Sequence, residues 1–162
     1  MILLGIVALT AVVCFSCEEF CEESNRTAIV VNFYSSDDKL LPSNVKVIAI
    51  GIDDGIDSTL YPKKSYSQVM LPVNPSADEM SFSFENGEAI ADTMKIVYTR
   101  HNGFISTECG CVTYAEITNA EILRKHERTE NSIVRFVITN PNAKTVSYRQ
   151  GVINAENIRI YY

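Results

Sequence analysis

The feature that most restricts this chain is a period of two. Apolar and polar residues alternate in short runs, and clusters of Gly, Pro, Asn, Asp and Ser cut each run before a helical period develops. In Thr27–Tyr34, Ile29, Val31 and Phe33 fall on one side. Thr93–Arg100 repeats the pattern through Met94, Ile96 and Tyr98, Ile133–Thr139 through Val134, Phe136 and Ile138, and Asn157–Tyr162 through Ile158, Ile160 and Tyr162. Successive side chains of a strand point to opposite faces, so this period marks half-buried strands. Further strands are expected over Val45–Ile52, Ser58–Tyr61 (stopped by Pro62), Ser67–Leu71 (stopped by Pro72), Met80–Glu85 and Cys111–Thr118. Asn86-Gly87 and Asn102-Gly103 read as hairpin turns. The charged stretch 119–130 reads as one helical turn or a long hairpin tip.

Eight or nine short strands with no long helix predict an all-β fold, an antiparallel β-sandwich of immunoglobulin-like architecture. The likeness is one of architecture alone, because the chain has no Trp for a Cys–Trp–Cys core. A length of 162 residues suits one domain with a sizeable core. The net charge is −6 and the pI about 4.9. No Lys or Arg run supplies the basic footprint that phosphates require, so nucleic acid is excluded as a partner.

The opening segment differs from the rest. Met1–Phe15 is apolar and uncharged, and the first charge is Glu18. Such a run at a chain's start reads as a signal peptide, although no Lys or Arg precedes it. It falls a little short of the roughly 20 residues that span a bilayer. Cys17 follows Cys14-Phe15-Ser16, with the small Ser16 next to the cysteine. This resembles the lipobox of bacterial lipoproteins, with Cys14 and Phe15 departing from the usual residues. The resemblance implies acylation at Cys17, which then becomes the new N-terminus. Simple cleavage and release, or an uncleaved N-terminal anchor, are the alternatives. Residues 1–16 are then a lipoprotein signal peptide, 17–26 an acidic tether and 27–162 the β-sandwich domain. Glu18, Glu19, Glu22 and Glu23 read equally as a surface-export signal or as a solvated, self-repelling tether.

A broader resemblance is carried by Cys17-Glu-Glu-Phe-Cys21, Ile29-Val-Val-Asn-Phe-Tyr34, Leu71-Pro-Val-Asn74, Tyr98-Thr-Arg100, Phe104-Ile-Ser106, Cys109-Gly110 and the closing Ile158-Arg-Ile-Tyr-Tyr162. Together these resemble a family of small Bacteroidota lipoproteins of unknown function, over most of residues 17–162. The resemblance implies a secreted, lipidated β domain and supplies no activity.

With Cys17 acylated, Cys21, Cys109 and Cys111 are the thiols of the β domain and its tether, and an oxidising compartment preserves disulfides. Three thiols allow one bridge and one leftover. Cys21–Cys109 is favoured because it would pin the tether's end to the sheet, and the resemblance points to the same pair; Cys111 is the alternative partner. The bridge would close a loop of about 90 residues, worth up to roughly 4–5 kcal/mol in the chain-entropy model. Cys109-Gly110-Cys111 also admits a thiol-redox or metal reading. Two further metal ligands would have to come from Cys21, His101 and His126, whose spacing is atypical. Asp53-Asp54-Gly55-Ile56-Asp57 resembles part of a calcium loop but lacks its order, and reads as an acidic turn. Asp78 and Glu79 are adjacent, which on a strand sends them to opposite faces. No Gly-x-Ser-x-Gly or His-Glu-x-x-His motif occurs. Tyr34, Tyr114, Tyr148, Tyr161 and Tyr162 lie on or near strands, as core packing or binding anchors.

The sequence therefore leads us to expect a non-catalytic, lipid-anchored protein of the cell envelope, specifically an outer-membrane lipoprotein with surface exposure left open. It would have no cofactor and no bound metal, a membrane partner through its anchor, and an envelope protein or glycan as ligand. The alternative is a thiol-redox or metal-binding envelope protein using Cys109 and Cys111.

Overall fold

A computed structural model describes residues 25–51, 58–87, 91–106, 110–123, 127, 129, 131–147 and 155–162. Among them are ten strands: β1 (Asn25–Tyr34), β2 (Ser43–Ile50), β3 (Thr59–Tyr66), β4 (Gln68–Pro72), β5 (Glu79–Asn86), β6 (Asp92–Ser106), β7 (Gly110–Leu123), β8 (Arg135–Ile138), β9 (Lys144–Ser147) and β10 (Ile158–Tyr161). They form two five-stranded sheets. The first runs β4-β1-β10-β8, with β9 also on β1, and the second runs β3-β2-β5-β6-β7. The described chain is all-β and its pairings are mostly antiparallel. Among the described residues no helix is long and apolar enough to cross a membrane.

The two sheets bury one shared core. Ile29, Val31 and Phe33 of β1 and Ile158 and Ile160 of β10 meet Val45 and Val47 of β2, Phe82 and Phe84 of β5, and Met94 and Ile96 of β6. Phe33 reaches across to stand edge-on to Phe84, with ring centroids 6.4 Å apart. The alternation of the sequence thus gives each sheet an apolar face for the shared core, and on the first sheet Ala28, Val30 and Met70 of the opposite face are buried as a second, smaller cluster.

β1 organises the first sheet. Along one edge, residues 28–32 pair antiparallel with β4. Along the other edge it serves two partners in turn, β9 at residues 25–28 and β10 at residues 31–34. The gap between them is filled by Asn157. Its side-chain carbonyl accepts from Val30 N–H, its own N–H donates to Val30 C=O, and its amide donates to the carbonyls of Asn140 and Asn142. Asn157 is 1% exposed, so these bonds satisfy a buried amide as well as a bare strand edge.

Several local expectations are corrected. Within the mostly antiparallel sandwich that the sequence led us to expect, the β1–β10 pairing is parallel. Hydrophobic alternation carries no record of strand direction. Asn102-Gly103 makes no turn. It lies inside β6, which pairs with β7 as far as Ser106–Gly110. Gly103 instead makes room for the Tyr114 ring, whose Cε2 lies 2.4 Å from where a Cβ would stand. Gly87 does stand in a turn directly after β5, at φ +62°.

The stretch from residue 119 begins as strand, not as a helical turn. β7 continues to Leu123 after a bulge between the Tyr98–Ile117 and Val97–Asn119 pairs. The bulge flips the inward phase from Ala115 and Ile117 to Ala120 and Ile122, which breaks the visible period. Pro62 does not end β3. It sits at a register irregularity on an edge strand, where a missing N–H is tolerated. β9 carries no recognisable alternation and was not foreseen.

Candidate functional site

The outer face of the first sheet carries a continuous polar and aromatic strip. On β1, Asn32 and Tyr34 alternate with the buried Val31 and Phe33 and so point away from the core. On β10, Arg159 and Tyr161 do the same. The parallel register sets Asn32 beside Arg159 and Tyr34 beside Tyr161. β8 then adds Arg135 opposite Tyr161.

Glu156, just ahead of β10, joins three of these side chains. Its Oε2 accepts from Asn32 Nδ2 at 2.9 Å and from Tyr34 Oη at 2.7 Å, and its Oε1 accepts from Arg159 Nε at 2.6 Å. Gln68 of β4 extends the chain by donating to Asn32 Oδ1 at 2.9 Å. At the far end Asp38 Oδ1 accepts from Tyr161 Oη at 2.6 Å and from Arg135 at 3.4 Å. Asp38 lies in the turn after β1 at φ +59°, a left-handed conformation that Asp tolerates better than most residues.

The aromatic rings stack into the same strip. Tyr34 and Tyr161 are 5.6 Å apart between centroids and inclined by 33°. The Arg135 guanidinium covers Tyr161 at 3.6 Å, and Arg159 covers Tyr34 at 4.9 Å. Guanidinium over an aromatic face is an attractive pairing of charge with ring quadrupole.

These contacts shift the titration of several groups. Burial resists ionisation of Glu156, but hydrogen bonds from Tyr34, Arg159 and Asn32 outweigh it and hold its pKa below the usual glutamate value. The Tyr161 hydroxyl, above all, lowers the pKa of Asp38. Burial and the bond to Glu156 raise Tyr34, and the same glutamate raises Arg159.

A second feature is an open groove of about 560 Å³ beside β6, lined by Pro75, Asp78, Val97, Tyr98, Thr99, Arg100, Asn102 and Thr118. Its cation is already engaged. Arg100 Nε meets Asp78 Oδ1 at 2.6 Å, and its guanidinium also donates to Pro75 C=O.

The residues singled out from sequence are scattered. Tyr34 and Tyr161 join the strip. Tyr162 turns inward, against Phe33 at 6.0 Å, where its buried hydroxyl has no hydrogen-bond partner among the described residues and burial raises its pKa. Tyr114 covers Gly103 on the β6–β7 ribbon. His101 is exposed on β6, 3.9 Å from Glu116. Asp78 and Glu79 part as expected, the first to Arg100 and the second to Lys95 at 2.8 Å. Cys111 lies in β7 opposite Phe104. Cys17, Cys21, Cys109, His126, Tyr148 and the Asp53–Asp57 turn lie outside the described residues. Among the described residues no three His, Cys, Asp or Glu side chains converge as metal ligands.

Glu156, Arg159, Arg135, Asp38 and Asn32 were missed from sequence. The alternation of Arg159 with Tyr161 and of Asn32 with Tyr34 was a usable signal. Their union was not legible, because Glu156 meets Tyr34 across 122 positions.

The family comparison covers most of this architecture, matching a family of unknown function over residues 44–162, from β2 to the end of the chain. The chain belongs to the DUF6452 family. The match takes in every strand from β4 to β10 and all of the second sheet but the first residue of β2. Of the strip, it contains Gln68, Arg135, Glu156, Arg159 and Tyr161, while Asn32, Tyr34 and Asp38 lie ahead of the DUF6452 match. No curated protein and no solved structure matches the chain.

Proposed function

We propose that this chain is a non-catalytic envelope lipoprotein of the Bacteroidota type, held to the outer membrane by a lipid on Cys17. Its β-sandwich would serve as a binding or structural module for an envelope protein or a glycan. The observation that carries the reading is the order of the first residues. An uncharged apolar run ends at Ser16-Cys17, and only residues 18–24, four of them Glu, separate that cysteine from β1. Diacyl and amide-linked chains together bury enough CH₂ groups, at about 0.8 kcal/mol each, for stable anchoring. The strip supports a recognition surface, since Arg135 and Arg159 present guanidinium planes held over the stacked Tyr161 and Tyr34 rings.

Metabolic labelling with a fatty acid tests the anchor. The wild type should take up label and Cys17→Ala should not. A mature protein found in the cytosol with Met1 intact would overturn the reading. Counting free thiols on protein purified without reductant separates the thiol-active alternative, which requires Cys109 and Cys111 both reduced and reactive.

A further inference from the structure

The β6–β7 ribbon outgrows its sheet. Pairing of β5 with β6 ends at Glu79–Val97, yet β6 and β7 pair onward to Ser106–Gly110. On its other side β7 is braced by the 141–143 segment, through Pro141 and Ala143 at Ile117 and Ala115, and by Thr27, whose hydroxyl donates to Thr113 C=O. Past Thr113 no further brace is described. This end carries Phe104, the most exposed of the large apolar side chains described at 67%, and Tyr114 at 39%.

The start of β1 lies toward the same end. β9 runs antiparallel to β1, and the segment leading directly into it meets β7 through the antiparallel bridge Glu116–Asn142. β1 and β7 therefore run in one direction. With Thr27 beside Thr113, stepping back to Asn25 moves toward the level of Cys111 and the free end of the ribbon. The eight steps from Asn25 back to Cys17 reach at most about 29 Å even when fully extended.

We infer that the free end of the β6–β7 ribbon faces the bilayer, with Phe104 and Tyr114 resting in its interfacial zone. This inference rests on the lipid anchor proposed above, because the anchor is what holds this end of the domain nearest the membrane. Phe adds apolar area at the acyl boundary, and Tyr, with a wet hydroxyl and an apolar ring, suits the headgroup level. Charge fits a zwitterionic surface. Arg100 is neutralised by Asp78, His101 faces Glu116, and four glutamates follow Cys17.

The absence of Trp from the chain makes a direct test simple. Phe104→Trp places a single reporter at the ribbon end. Leu123→Trp places one at the other end of the same ribbon, on an exposed site opposite Thr93 and about 35 Å away at strand rise. Each full-length variant, purified from membranes, is reconstituted in phosphatidylcholine vesicles with bromine-labelled acyl chains, and the intact mass of each preparation is read alongside. With the acyl mass present, the tryptophan at 104 should be blue-shifted and quenched at least threefold more than the one at 123. Equal or absent quenching in acylated protein overturns the inference and leaves the anchor standing. A blue shift without quenching also overturns it, because protein rather than lipid then covers the site. Absence of the acyl mass overturns the anchor and this inference together.

Discussion

Replacing Glu156 by Gln tests whether the outer strip is an energetic unit. The change keeps the side chain's shape and one carbonyl oxygen but removes the charge. Three donors now converge on the carboxylate: Asn32 at 2.9 Å, Tyr34 at 2.7 Å and Arg159 at 2.6 Å. A sheltered hydrogen bond to a charged group contributes about 1.5–3 kcal/mol and a neutral one about 0.5–1.5 kcal/mol; a Gln oxygen standing where Oε2 does still accepts from Asn32 and Tyr34, so each of those bonds weakens by about 1 kcal/mol while Arg159 loses its acceptor. The Arg159 pair is half-exposed and adds less than about 1 kcal/mol. A loss of about 2 kcal/mol follows, which for a chain of this size lowers Tm by about 4–8 °C. The effect must also depend on pH. Glu156 has a folded pKa below its usual value of about 4.3, so its contribution is present above that value and disappears as pH falls through the lowered one. Gln has no such titration. Urea unfolding followed by circular dichroism at pH 7 and at pH 3 should therefore show a gap of about 2 kcal/mol that narrows in acid. A gap under about 0.5 kcal/mol at pH 7, or one unchanged at pH 3, would refute the reasoning.

Three further outcomes are expected. Phe33→Ala removes the ring that bridges the sheets and should destabilise by about 3–5 kcal/mol in thermal or urea unfolding; a loss below about 1 kcal/mol would mean that Phe33 does not hold the two faces together. Gly103→Val should push the Tyr114 ring off the ribbon, seen as a changed Tyr114 ring environment by NMR, and an unchanged signal would contradict the contact. Peptide mapping without reductant should yield a Cys21–Cys109 link, whereas a Cys109–Cys111 link, or three free thiols, would dispose of the proposed staple.

The class of fold was written in the residue order. Ile29, Val31 and Phe33, or Met94, Ile96 and Tyr98, leave no choice but a strand that buries the face they share, because the pleat repeats every two residues. Where the period broke, the reading broke with it. The bulge at Thr118 shifts phase, and Gly103 mimics a turn while accommodating a ring, so both are intelligible only with the partner strand in place. Half of the strip was similarly visible, in Asn32 with Tyr34 and in Arg159 with Tyr161. The rest depends on which strands are neighbours and in which direction they run. Alternation tells a side chain which face to take, a local property of the backbone. The setting of β1 against β10, parallel and more than a hundred residues apart, follows from how two apolar faces close over one core, and that closure brings Glu156, Arg159 and Tyr34 together.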